Sequence, residues 1–105
     1  MTWQPTSLLE LQKLIAESES RMQARQLELL NRIKIPPSRW SEKVCGGQDG
    51  FWAVALLQDQ VIWYNDIEEG FKVSPYPRLG EIGEYWANQD ELDLTIRLLL
   101  ERSTL

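Results

Sequence analysis

The chain has 105 residues, enough for one domain with one core and too few for two. Its 43% hydrophobic and 26% charged residues are the balance of a folded globule, not of a disordered chain. A net charge of −5 argues against nonspecific nucleic-acid binding, and the longest apolar run, Phe51 to Leu57, is far too short to span a bilayer.

The acidic surplus lies toward the C-terminal end: residues 81–105 hold six acidic and two basic side chains, whereas residues 1–34 hold four and five. The opening Met-Thr-Trp-Gln-Pro lacks the basic segment and apolar core of a signal peptide. Cys45 is the sole cysteine, so no internal disulfide forms, and a reducing, cytoplasmic location is expected.

Residues 7–33 read as a helix. Ser7 and Glu10 form an S-x-x-E capping box, and Leu8, Leu11, Ile15, Met22, Leu29, Leu30 and Ile33 follow three- and four-residue steps. Ile35-Pro36-Pro37 ends it, because a proline disfavours the helical region for the residue before it. An unbroken helix of this length measures about 40 Å. A domain of this size is only about 30–35 Å across. The helix therefore either bends in its polar middle, Ser18-Glu19-Ser20-Arg21, or overhangs and packs on something else.

Residues 39–76 read as an antiparallel sheet. Arg39 to Cys45 is expected as the first strand and Gly46 to Gly50 as a turn rich in residues that accept positive φ. Phe51 to Leu57 is apolar on both alternating sets, the mark of a central strand. Gln58-Asp59-Gln60 turns the chain into Val61 to Tyr64, and Phe71 to Ser74 supplies a fourth strand before Pro75 and Pro77. Residues 88–102 read as a second helix, with Asn88 as its cap, acidic residues in its first turn and Arg97 and Arg102 late, an order that suits the helix dipole. The expected fold is α+β: a long N-terminal helix, a three- to four-stranded antiparallel sheet, and a C-terminal helix packed on it, all in one domain over 1–105.

The acidic turn Asn65-Asp66-Ile67-Glu68-Glu69-Gly70 offers several oxygen ligands. Asp66, Glu68 and Glu69 are the only metal candidates, and the helices and D-x-[DN]-x-[DN]-G pattern of a calcium loop are missing around them. The structural reading is that Asn65 and Asp66 fold back onto local N–H groups, with Gly70 taking a conformation other residues resist. A carboxylate pair beside Trp63, Tyr64 and Phe71 could do acid–base work. Yet the chain has no histidine, and no Ser or Cys stands in a nucleophile motif. No catalytic residue and no cofactor is assigned. Cys45 reads as a buried, inert thiol.

Five tryptophans are many for this length. Trp52 and Trp63 are expected to pair across neighbouring strands in the core, Trp3 to pack on the first helix, and Trp40 and Trp86, near element ends, to be available to a partner or a small ligand. The surplus apolar stripe of the first helix, with Leu11, Ile15 and Met22, is the other candidate contact surface.

The runs "GFWAVALL", "VIWYNDIEEGF" and "YWANQDELDLTI", at 50–57, 61–71 and 85–96, resemble a family of small bacterial proteins with no assigned activity. The resemblance implies a bacterial, cytoplasmic, single-domain protein and carries over no site. The expectation is a non-catalytic protein-binding module, of inhibitor or immunity type, or self-associating as a homodimer through the first helix. Its partners are another protein or itself, and neither nucleic acid nor membrane. The alternatives are a metal-dependent or carboxylate enzyme at the 65–69 turn and a sugar or small-ligand module using an exposed Trp.

Overall fold

The computed structural model describes residues 5–43, 50–86 and 90–103. Their elements run α1 (Leu8–Ser20), α2 (Ala24–Ile33), β1 (Lys34–Trp40), β2 (Phe51–Leu57), β3 (Gln60–Asn65), β4 (Gly70–Pro75) and α3 (Leu92–Ser103). The four strands form one antiparallel meander in the order β1-β2-β3-β4. The fold is α+β, with the C-terminal helix packed on the sheet.

The N-terminal helix is two helices, not one over 7–33. The capping box at its start forms: Glu10 N–H donates to Ser7 Oγ at 3.1 Å, and Ser7 N–H faces Glu10 Oε1 at 3.5 Å. The break lies in the polar middle. Ser18 is buried, Arg21 caps α1, and its guanidinium donates to Ser18 Oγ and to Asp93 on α3, both at 3.1 Å. A second start follows at once. Gln23 N–H donates to Gln26 Oε1 at 2.6 Å, and Gln26 Nε2 donates to Asp93 O at 3.0 Å, so α2 is tied to α3. The break lets both halves lay their apolar faces on the same core, and the overhang that motivated self-pairing does not arise. Leu11 and Leu30 sit in the main cluster, with Leu14, Ile15, Leu27 and Ile33 packed against it.

The first strand starts earlier than expected, at Lys34 instead of Arg39. The prolines do not stop it because β1 is an edge strand, where a missing N–H donor on the outer side costs little. They coincide with an irregularity: the register passes from Lys34↔Ala55 to Ser38↔Ala53, two residues out of step. The expected strand to Cys45 ends at Trp40: Ser41 makes only an isolated bridge to Glu81, and Glu42 and Lys43 belong to no strand, while Cys45 and most of the glycine-rich turn lie outside the described residues. Gly50 closes that turn at φ +66°, where a Cβ would stand 2.0 Å from Trp40 O, so only glycine fits without movement.

The β2–β3 hairpin has a two-residue loop, Gln58-Asp59, with Gln58 at φ +56°; Gln60 already belongs to β3. Trp52 and Trp63 do not pair. Trp63 faces Ala53 in register and packs on Phe51 at 4.8 Å, whereas Trp52 is opposite Tyr64 and lies under the Arg39 guanidinium.

The sheet is covered on both faces. The helices cover Val54, Ala55, Ile62, Tyr64 and Phe71 on one face, joined by Leu92, Ile96 and Leu99 of α3. On the other, Trp40, Phe51, Ala53, Val61 and Trp63 lie under residues 76–86, with Ile82 and Tyr85 closing the cluster. That segment is stitched to β4 and to the residue just past β1: Gly83 N–H donates to Pro75 O, and Ile82 N–H to Ser41 O. The expected cap Asn88 and the site of Trp3 lie outside the described residues. Among the described residues no helix is long and apolar enough to cross a membrane.

Candidate functional site

Asn65 ends β3 and organises the acidic turn. It is fully buried, its Oδ1 accepts from the N–H groups of Ile67 and Glu68, both at 3.1 Å, and its Nδ2 donates to Trp86 O at 2.8 Å. Asp66 behaves differently from expectation. Its Oδ2 accepts from Thr6 N–H at 2.8 Å, so it ties the N-terminal segment to the turn instead of folding back locally. Thr6 O in turn accepts from Trp52 Nε1 at 2.7 Å and Arg39 at 3.1 Å. The left-handed residue is Glu69, at φ +59°, and not Gly70.

The three carboxylates of the turn separate. Asp66 and Glu69 line a trough of about 460 Å³ between α1, the turn and the start of α3. Glu68 is not part of it and instead acts on Lys72 through its charge. Among the described residues no three His, Cys, Asp or Glu side chains come together as metal ligands, Asp66, Glu68 and Glu69 included.

The trough gathers more acid than the turn alone supplies. Glu10 and Glu17 come from α1, seven residues apart and so on one helix face. Asp90 and Glu91 come from the start of α3. Against these six carboxylates stand Lys13 and Arg21, leaving four negative charges around one concavity. Arg21 is already engaged, at 3.1 Å from both Glu91 and Asp93. The floor is aromatic: Tyr64 and Phe71 meet at a tilt of 48°, with ring centres 4.9 Å apart. Burial first, then the charges of Glu69, Asp66 and Glu10, push the Tyr64 phenol above its ordinary value of 10.0, so it stays a neutral hydroxyl in the trough.

The candidate contact residues sort differently. Leu11 is 0% exposed, and Met22 and Trp40 are also buried in this chain's own core. Ile15 is partly buried against it, so these four do not form an open stripe. Trp40 packs edge-on to Tyr76 at 5.3 Å and donates to Ser38 Oγ at 3.2 Å. Trp86 alone of the candidates is broadly exposed, at 49%. Sequence reasoning missed Glu10, Glu17, Asp90 and Glu91 as members of one site. The seven-residue spacing on α1 was readable, but its meeting with a turn some fifty residues away depends on packing. No known protein family, curated protein or solved structure matches the chain.

Proposed function

We propose that the chain is a non-catalytic protein-binding module whose acidic trough receives a Lys- or Arg-rich segment of another protein. The single observation that carries this is the convergence of six carboxylates from three elements on one concave surface with four unbalanced negative charges. Such a surface steers a basic partner and selects against acidic ones, while aliphatic stems of Lys or Arg lie on the aromatic floor. Exposed ion pairs are individually weak, about 0.2–1 kcal/mol each, so affinity rests on several acting together.

An inhibitor or immunity-type role, in which the trough covers a basic site on a target, is the concrete form of this reading. The lack of any histidine favours binding over acid–base catalysis. The single cysteine, which leaves the chain without an internal disulfide, favours a reducing, cytoplasmic location.

The test is fluorescence anisotropy with a labelled Arg/Lys-rich peptide at low and high salt, against the chain and its Glu10→Gln/Glu17→Gln/Glu69→Gln variant. The reading expects binding that falls steeply with salt and is weakened by the variant. Equal binding by both proteins, or none at low salt, refutes it.

A further inference from the structure

Tyr64 lies on the sheet face that the helices cover, opposite Phe71 in register, and only 7% of it is exposed. A buried tyrosine ordinarily commits its hydroxyl to a hydrogen bond. This one makes none among the described residues, and its oxygen is not shut off from solvent. Tyr64 lines the acidic trough, so the oxygen is reached from there. Besides burial, which acts first, the charges of Glu69, Asp66 and Glu10 raise its affinity for the proton, so the phenol stands among these three carboxylates. It remains a neutral hydroxyl there, with one donor and two acceptor pairs unused.

The acceptors around it arrive from separate elements. Glu10 comes from the first turn of α1, where its Oε1 already serves Ser7. Glu69 comes from the turn and enters no hydrogen bond or ion pair among the described residues. Asp66 gives its Oδ2 to Thr6 N–H and acts here through its charge. Little ring face is open: Tyr64 and Phe71 are both buried and tilt onto each other at 4.9 Å. An aliphatic stem can cross their edges, but a guanidinium finds little to stack on. A guanidinium gains most from flat bidentate pairing and ring stacking, whereas an ammonium is compact and carries three divergent donors.

We propose, on the reading that the trough is the partner's site, that its Tyr64 end holds the ammonium of one lysine of that partner in preference to an arginine. Tyr64 Oη is the neutral acceptor, and Glu69 and Glu10 are the charged ones. The ammonium donates to a lone pair of Oη, and the phenol O–H is left to turn toward a carboxylate. Charge attraction alone gives no such preference, and carboxylate sites ordinarily favour arginine through its bidentate fork. A preference for lysine is therefore the mark of the hydroxyl.

The experiment compares labelled oligolysine and oligoarginine peptides of equal length, blocked at both ends, by fluorescence anisotropy at matched low salt. The proteins are the full chain and its Tyr64→Phe variant. That variant removes only an oxygen without a hydrogen bond, so the fold should be kept, which circular dichroism checks. The lysine peptide should bind the unaltered chain more tightly than the arginine peptide. Tyr64→Phe should weaken the lysine peptide by about tenfold, the loss of one hydrogen bond from a charged donor, and leave the arginine peptide unchanged. n-Butylamine, the lysine side chain alone, should compete only at far higher concentration.

Equal or tighter binding of the arginine peptide overturns the proposal. So does undiminished binding of the lysine peptide by Tyr64→Phe, or displacement by n-butylamine at the peptide's own concentrations, which would assign the site to a free amine. Should Tyr64→Phe not fold, the comparison of the two peptides on the unaltered chain decides. If both peptides bind equally and Glu10→Gln/Glu17→Gln/Glu69→Gln weakens both, the anchor falls and the trough stands. If neither binds, both fall.

Discussion

Replacing Asn65 with Ala should cost more than its single small side chain suggests. The residue is fully buried and makes three hydrogen bonds, to Ile67 N–H, Glu68 N–H and Trp86 O. A net contribution of about 1 kcal/mol for each gives about 3 kcal/mol. For a domain of this size that corresponds to a fall in Tm of about 10–15 °C. The two N–H groups of the turn can recover water, since Ile67 is exposed and Glu68 partly so, and this keeps the figure from rising further. Asn65→Asp separates the contributions. It retains the two accepting contacts, loses the donor to Trp86 O and sets a carboxylate against that carbonyl, so an intermediate loss is expected. Urea denaturation followed by circular dichroism measures both. A loss under half a kcal/mol for the alanine variant refutes the idea that Asn65 holds the turn against the 76–86 segment.

Leu11→Ala should destabilise by about 2–5 kcal/mol, because Leu11 is 0% exposed in the core shared by the helices and the sheet; a change near zero in thermal denaturation would restore Leu11 as a surface residue. Lys72→Met should raise stability at neutral pH, because it removes a buried ammonium without a bonded acceptor. The sign with pH follows from the lowered proton affinity of Lys72. Between its folded value and 10.5 the unfolded chain holds a proton that the folded chain has lost, so the folded chain gains stability as pH rises through that window. The advantage of Lys72→Met should therefore shrink with rising pH. An advantage that is constant or grows contradicts this.

The parts of the fold readable from sequence were those fixed locally. Val61 to Tyr64 and Phe51 to Leu57 carry their strands in their own composition, and Ser7 with Glu10 marks its helix start without help from the rest of the chain. What local pattern does not hold is the break between α1 and α2. It depends on Arg21 reaching Asp93, seventy-two residues on, and on Gln26 reaching the carbonyl of the same residue. The early start of β1 was hidden because Pro36 and Pro37 read as terminators until the strand is known to be an edge. The same limit governs the sites. Asp66 and Glu69 were visible as an acidic turn, but Glu68 leaves them for Lys72, and their neighbours in the trough arrive from α1 and α3. Lys72 gave no signal, since a single lysine in an alternating strand ordinarily faces water.

The central claim is that the acidic trough, and no other surface, meets a basic partner. The most direct measurement is chemical-shift mapping of the isotopically labelled chain with an Arg/Lys-rich peptide at low salt. The account expects saturable shifts centred on Glu10, Glu17, Glu69, Gly70 and Glu91, which disappear as salt is raised. Shifts spread evenly over all acidic residues, Glu28, Glu81 and Glu101 included, would mean diffuse charge attraction and contradict it.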